Sequence, residues 1–177
     1  MRKPVTRELI EAFLRAFGER LRKPVRLTLT GGASLLMRGL REQTEDIDLS
    51  YSTTEDGAVL EALRVLKDKL DVSVEIAEPG QFIPMPAGRE RRLGYVDRYG
   101  CTDVFLDDPY AIAISKLHRG HKKDRRDVRL MLDAGLIAVA ELEAKVREVA
   151  SANAPNALNV NADRMLAHLD AARRGEL

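Results

Sequence analysis

Apolar and polar positions along this chain follow two rhythms, which together predict a mixture of helices and strands. After Thr6, a candidate N-cap, helical spacing is kept by Leu9, Ile10, Phe13, Leu14 and Phe17. Strict alternation over 25–29 predicts a strand that leads into a glycine turn. A short helix over 33–39, a strand over 46–51, an amphipathic helix marked by Leu60, Leu63, Leu66 and Leu70, and a strand over 70–76 follow. The first half of the chain is therefore expected to have an α/β fold.

The second half begins with irregular sequence and then becomes helical. Several prolines and glycines over 78–90 predict a loop, and two weaker strands over 93–96 and 101–106 suit a hairpin. Asp108-Pro109 is a typical helix start, and the pattern stays helical from there, with a break at Asn153–Asn156 between the last two helices. We expect an α/β core over 1–107 and a helical part over 108–177, packed together as a single domain.

Composition narrows the class of protein. The chain has 177 residues, of which 32% are charged and 45% hydrophobic, as in folded domains that bury a sizeable core. A net charge of +1 supplies no global attraction to nucleic acid, and the single cysteine, Cys101, excludes an intramolecular disulfide. No apolar run is long enough to span a membrane, and the first residues lack the apolar stretch of a secretory signal. We therefore expect a cytoplasmic protein without a membrane partner.

Two short segments carry the candidate chemistry. Gly31-Gly32-Ala33-Ser34 places a glycine turn before a helix, and Asp46-Ile47-Asp48 follows on a predicted strand. Alternation on that strand projects Asp46 and Asp48 from one face, where two carboxylates repel each other unless a cation lies between them. Mg²⁺ is usually held by one or two carboxylates together with substrate phosphates, and a glycine turn lets backbone N–H groups approach an anion. The segments therefore suit metal-dependent handling of a nucleoside triphosphate.

At these residues the chain resembles the nucleotidyltransferase superfamily, the fold of DNA polymerase beta and of the antibiotic nucleotidyltransferases. Gly31-Gly32 and Asp46-Ile47-Asp48 match its glycine turn and its pair of acids, although many relatives have serine at the second glycine. The resemblance implies a small mixed sheet followed by a helical part. It also implies Mg²⁺ as cofactor, with Mn²⁺ as the alternative, and a third acid on a later strand.

Glu75 is the first candidate for this third acid. On the predicted strand over 70–76, Asp71, Ser73 and Glu75 share the polar face, and the strand order of the superfamily would lay that face beside Asp46 and Asp48. Asp71 competes for the role. An ordinary exposed acid is the plain alternative for either residue.

A second block lies on the helix that begins at Asp108. Lys116-Leu117 and the following basic segment through Lys123-Asp124-Arg125-Arg126-Asp127 resemble the abortive-infection type nucleotidyltransferase toxins and a poorly characterised group of bacterial relatives. In the toxins the lysine and the last aspartate are implicated in catalysis, which implies catalytic roles for Lys116 and Asp127, and Lys116 would also contact phosphate. Asp124 shares a helix face with Asp127. The alternative is a surface lattice of ion pairs, such as Lys123 with Asp127.

The remaining candidates are weaker. Gly31, Gly32 and Ser34 would cradle the triphosphate, or would form a simple strand-to-helix turn. Thr44 suits a local turn hydrogen bond. His118 and His121 have a spacing that can hold a metal, but lack an accompanying ligand set, and the basic residues between Lys116 and Arg126 suit either phosphate binding or a solvated helix face. Cys101 is expected to be a small buried residue rather than a nucleophile.

We interpret the sequence as that of an enzyme that transfers a nucleoside monophosphate from a triphosphate to an acceptor hydroxyl. In this interpretation Asp46, Asp48 and Glu75 bind the metal. The acceptor stays open among tRNA, protein and small molecules, and a toxin role would add a cognate antitoxin as partner. One alternative is an inactive member of the fold that binds a nucleotide or a protein. Another is a helical interaction module over 138–177.

Overall fold

The computed structural model describes residues 3–152 and 160–176, and these divide into two compact units. The first unit comprises Met1–Glu78 and Leu93–Asp107, and the second comprises Pro79–Arg92 and Asp108–Leu177. The first contains a mixed sheet with three helices, and the second contains four helices and a short 3₁₀ turn at Arg89–Arg92. The predicted α/β class is therefore confirmed.

The first unit is built on a five-stranded sheet. Its elements in chain order are α1 (Arg7–Arg20), β1 (Val25–Leu29), α2 (Gly31–Met37), β2 (Ile47–Thr53), α3 (Asp56–Lys69), β3 (Val74–Ile76), β4 (Gly94–Tyr99) and β5 (Thr102–Leu106). The strand order is β3-β2-β1-β5-β4. The β1/β5 and β2/β3 pairs are parallel, and the β1/β2 and β4/β5 pairs are antiparallel. The sheet is therefore mixed, as the resemblance implies.

Alternation along β1 separates the two faces of the sheet. Val25, Leu27 and Leu29 are buried in a core shared with α1 and α3, and Phe13 stacks on Phe17 in that core with ring centroids 5.8 Å apart. Full burial of each such side chain stabilises the fold by about 1.5–3 kcal/mol. The intervening polar residues of β1 consequently project from the opposite face, and so do their register partners on β2 and β5.

Several predicted boundaries hold, because their local signals are strong. The Thr6 hydroxyl accepts a hydrogen bond from the Leu9 N–H at 3.4 Å and caps α1. The strand predicted over 25–29 coincides with β1, and the predicted hairpin is formed by β4 and β5.

Other predicted boundaries are wrong. The sequence predicts the third strand over 70–76, but α3 continues to Lys69 and Asp71 has a left-handed backbone conformation, with φ of 54°. The strand β3 therefore begins only at Val74. Helix α2 begins at Gly31 rather than 33 and ends before Gly39, where φ is +77°. Leu60, predicted on the apolar face of α3, is 45% exposed.

The second unit consists of packed helices. They are α4 (Pro109–Arg119), α5 (Lys122–Asp133), α6 (Val139–Ser151) and α7 (Ala162–Arg174). Asp108 caps α4 by accepting from the Tyr110 N–H at 3.0 Å, which confirms the predicted start. The predicted break at 153–156 lies outside the described residues. Across 3–152 and 160–176, no helix is both long and apolar enough to cross a membrane.

Candidate functional site

Three carboxylates converge at one edge of the sheet in the first unit. Asp48 on β2 and Glu75 on β3 are direct register partners, and Asp46 lies immediately before β2. One carboxylate oxygen from each residue lies within 4.8 Å of the other two. Asp46 and Asp48 are half-buried, and Glu75 is exposed. Because three negative groups this close repel each other, and because carboxylate oxygens are the ligands that Mg²⁺ and Mn²⁺ prefer, this donor set fits a divalent cation.

The local sequence explains why the carboxylates meet. Ile47 and Leu49 alternate with the acids on β2 and are both fully buried, so they fix the register of the strand against the core. The parallel pairing with β3 then puts Glu75 beside Asp48. Asp71, the competing third acid, lies outside the strand, in the turn after α3, and is not a member of the cluster. The ligand roles of the three carboxylates stay a prediction.

The glycine turn lies against this cluster. Gly31 has φ of +53°, a conformation that favours glycine, and a Cβ there would overlap Asp48 Oδ2. A Cβ on Gly32 would overlap the hydroxyl of Thr44 and would lie 3.2 Å from a guanidinium nitrogen of Arg41. Both glycines therefore permit close packing of the turn, and Gly31 specifically leaves room for the carboxylate of Asp48.

Ser34 is not on the surface of this turn. It has no exposed area, and its Oγ is a buried polar atom without a hydrogen-bond partner. A buried unpaired hydroxyl is uncommon and costs about 1–3 kcal/mol. Its predicted contact with phosphate remains untested. Thr44, by contrast, is fixed locally, because its backbone forms an isolated antiparallel bridge with Val5, with hydrogen bonds of 2.8 and 2.9 Å.

Arg41 is a residue of this region that the sequence reasoning missed. Its guanidinium borders the glycine turn at Gly32, although the residue lies in a segment without regular secondary structure. A basic residue between the glycine turn and the acid pair is the signal that could have indicated it. A guanidinium in this position has the geometry to pair with phosphate oxygens.

Lys116 lies in the second unit, within a buried ionic cluster. Its Nζ is 2.5 Å from Asp127 Oδ2 and 3.5 Å from Asp124 Oδ1. Arg119 donates two hydrogen bonds to Asp124, at 3.2 and 2.8 Å. Lys116 is 4% exposed, Asp124 1% and Asp127 2%. The alternative of a solvated surface lattice is therefore wrong, because α4 and α5 bury both acids of this helix face.

The electrostatics of the cluster are balanced. Burial alone would raise the pKa of Asp124, but the Arg119 hydrogen bonds and charge, together with Lys116, hold this pKa below its ordinary value. Two carboxylates thus face two cations. Breaking such a buried pair by removing one partner is strongly destabilising. The structure brings Lys116 and Asp127 together, and their catalytic roles stay a prediction.

The other predicted candidates do not belong to the carboxylate cluster, and the buried Nδ1 of His118 has no hydrogen-bond partner among the described residues. His118 is half-buried, and burial, followed by the charges of Arg164 and Arg119, lowers its pKa. His121 is exposed at the start of α5. Cys101 was expected to be buried but is only half-buried, and its Sγ donates to the Lys23 carbonyl at 2.9 Å.

Comparison with known proteins assigns the family. Residues 8–173 match a family model described as "Nucleotidyltransferase of unknown function (DUF6036)". No curated protein and no solved structure matches the chain. Because the match spans nearly the whole sequence, the chain belongs to this nucleotidyltransferase family.

Proposed function

We propose that this member of the nucleotidyltransferase family transfers a nucleoside monophosphate from a triphosphate to an acceptor hydroxyl. The observation that carries the proposal is the cluster of Asp46, Asp48 and Glu75, whose oxygens lie within 4.8 Å of one another, beside the turn at Gly31. In the reaction the acceptor hydroxyl loses its proton to solvent and its oxygen bonds to the α-phosphorus. The bond from that phosphorus to the oxygen that bridges it to the β-phosphorus breaks, and pyrophosphate leaves. A bound Mg²⁺ or Mn²⁺ would favour ionisation of the acceptor hydroxyl and offset charge on the leaving group.

Each part of the site has a distinct task in this proposal. Asp46, Asp48 and Glu75 would hold a divalent cation, which would supply positive charge at the reacting phosphate. The backbone N–H groups of the turn at Gly31 and Gly32 would donate to phosphate oxygens of the triphosphate. The resemblance implies the hydroxyl of Ser34 for the same cradle. Because this oxygen is fully buried and has no hydrogen-bond partner among the residues that the structure describes, it would reach a phosphate only after the turn opens.

Two cations are assigned to phosphate oxygens in this proposal. Arg41 borders Gly32 and is suited to pair with the β- or γ-phosphate. Lys116 is assigned to phosphate oxygens in the transition state, and Asp127 fixes its ammonium group. The resemblance to the toxins supports these last two roles.

The acceptor and the biological setting belong to the proposal as well. tRNA, a protein hydroxyl and a small metabolite all suit the same metal chemistry. A toxin role would require growth arrest on expression and relief by a cognate antitoxin. A cytoplasmic location fits a substrate of the nucleoside triphosphate class. The complete set of three carboxylates favours catalysis over nucleotide binding without turnover.

Transfer of α-labelled nucleotides tests the function directly. Each of the four triphosphates would be incubated with the protein and Mg²⁺, in the presence of total tRNA, cell-extract protein, a small-molecule extract or no acceptor. Asp46→Ala and Asp48→Ala should abolish labelling, and Asp71→Ala, a nearby acid outside the cluster, should not. Label that persists in the Asp46 and Asp48 variants would refute the proposal, and so would nucleotide binding without any transfer to these pools.

A further inference from the structure

The face of the sheet that carries Asp48 also carries a stack of planar side chains. Arg26 on β1 places its guanidinium carbon 4.5 Å from the ring centroid of Phe105 on β5. Tyr95 on β4 meets Phe105 edge to face, with centroids 5.4 Å apart and an interplanar angle of 68°. We define Arg26, Phe105 and Tyr95 as the aromatic platform. All three residues belong to the first unit.

The strand register places the platform on the same face as the metal cluster. Thr28 pairs with Phe105 on one side and with Ser50 on the other, and Ser50 lies two residues after Asp48 on β2. Phe105 in turn pairs with Tyr95. Because side chains two residues apart on a strand share a face, Asp48, Phe105 and Tyr95 all project from the face opposite the apolar core.

The side chains of the platform are accessible to solvent. Tyr95 is 59% exposed, and Arg26 is exposed as well, whereas Phe105 is half-buried. The two rings hold each other by a cross-strand contact, and the guanidinium holds one ring face. Because these contacts fix the planar groups before any ligand arrives, the platform is preorganised for a further planar group.

The distance between the metal cluster and the aromatic platform indicates which planar group the platform binds. With strands about 4.8 Å apart and about 3.3 Å per residue, Phe105 lies about 12 Å from Asp48 and Tyr95 about 16 Å. At about 3.4 Å per stacked base, this span corresponds to about four nucleotides of a strand. A base of the acceptor strand several nucleotides from the reacting hydroxyl lies within this span, and the triphosphate affinity of a platform variant distinguishes it from the donor base.

Charge near the platform matches such a strand. Arg22 and Arg26 are exposed at the start of β1, where Lys23 pairs with Glu55 at 2.7 Å, and Arg98 lies on β4 opposite Asp103, with which it pairs. Cations of this kind follow a phosphate backbone, and stacking on aromatic side chains accepts any base. We propose that the aromatic platform binds a base of a single-stranded RNA acceptor several nucleotides from the hydroxyl that is modified, an inference that rests on the proposed transferase function.

Fluorescence anisotropy with labelled oligouridylates of two and eight residues tests the platform in the absence of Mg²⁺ and triphosphate. The eight-residue RNA should bind more tightly than the two-residue RNA. Tyr95→Ala should weaken binding of the longer RNA roughly 5- to 150-fold, the range for loss of one stacked base. Tyr95→Phe, which keeps the ring, should bind as the unaltered protein does. Phe82→Ala, which removes a 70% exposed ring outside the sheet, is the matched control and should also change nothing.

The outcomes separate this inference from the proposed function. Weaker RNA binding in Tyr95→Ala with normal binding in Asp48→Asn supports the platform even if no transfer is found, in which case only the transferase proposal fails. Transfer to RNA at equal rates in the Tyr95→Ala variant and the unaltered protein overturns the platform but leaves the transferase intact. Absence of RNA binding overturns the inference, and so does a loss in Tyr95→Ala confined to triphosphate affinity, which would assign the platform to the donor base.

Discussion

Replacement of Gly31 by alanine should impair metal binding far more than it impairs folding. The backbone penalty is that of a non-glycine residue at φ of +53°, about 1–2 kcal/mol. For a chain of this size that corresponds to a fall of about 2–8 °C in Tm. The larger effect is local, because the new Cβ would overlap Asp48 Oδ2 and force this carboxylate out of the cluster. A displacement of about 1 Å at such a site costs roughly 100-fold in activity.

Gly39→Ala is the matched control for the backbone penalty of placing alanine at a positive φ. Gly39 has φ of +77°, but a Cβ there would meet nothing within 4 Å. The two variants should therefore lose similar stability in thermal unfolding, while only Gly31→Ala should lose Mn²⁺ affinity in calorimetric titration and lose nucleotide transfer. If Gly31→Ala bound Mn²⁺ and transferred nucleotide as well as Gly39→Ala does, the assigned relation between the turn and Asp48 would be refuted.

Three further predictions concern the cations and the buried cluster. Lys116→Met should lower the free energy of unfolding by about 3–5 kcal/mol in urea titration, because it removes the cation that contacts both buried carboxylates of the cluster. A loss below about 1 kcal/mol would contradict this. Because the pKa of Asp124 is lowered in the folded chain, the unfolded chain takes up a proton at this residue first as pH falls. The stability that the Asp124 carboxylate contributes to the fold is therefore complete above about pH 3.9 and declines below it. Asp124→Asn should therefore flatten the fall of Tm in acid, and an unchanged slope would count against the cluster. Arg41→Met should weaken triphosphate binding about 10-fold, the effect of one lost charge-assisted contact, and equal affinity would remove Arg41 from the phosphate site.

Local sequence signals predict an element correctly where its bounds depend on the residues of that element alone. The alternation over 25–29 and the Asp108-Pro109 pair each specify one strand or one helix start, and both match the structure. The predicted start of the third strand is wrong because Leu70 and Val72 are apolar positions that suit either a helix end or a strand. The left-handed turn at Asp71, which decides between them, has no local apolar signal.

Features that depend on pairing between distant segments were beyond the sequence. Helical spacing leaves a surface lattice of ion pairs as an alternative for this segment, but the packing of α4 against α5 buries Lys116 with two acids. The aromatic platform joins residues from β1, β4 and β5, and only the strand register brings Arg26 within 4.5 Å of Phe105. The pairing of Glu75 with Asp48 was anticipated, because the resemblance supplied the strand order that local spacing lacks.

The most direct test of the metal centre is the Mg²⁺ dependence of nucleotide transfer in Glu75→Gln, measured beside Asp71→Asn. Glu75 is the register partner of Asp48, whereas Asp71 lies in the preceding turn. If the three carboxylates bind the metal, Glu75→Gln should raise the Mg²⁺ concentration for half-maximal transfer by about 10- to 100-fold or more, while Asp71→Asn should match the unaltered protein. Normal Mg²⁺ dependence in Glu75→Gln, with the loss in Asp71→Asn instead, would contradict this prediction.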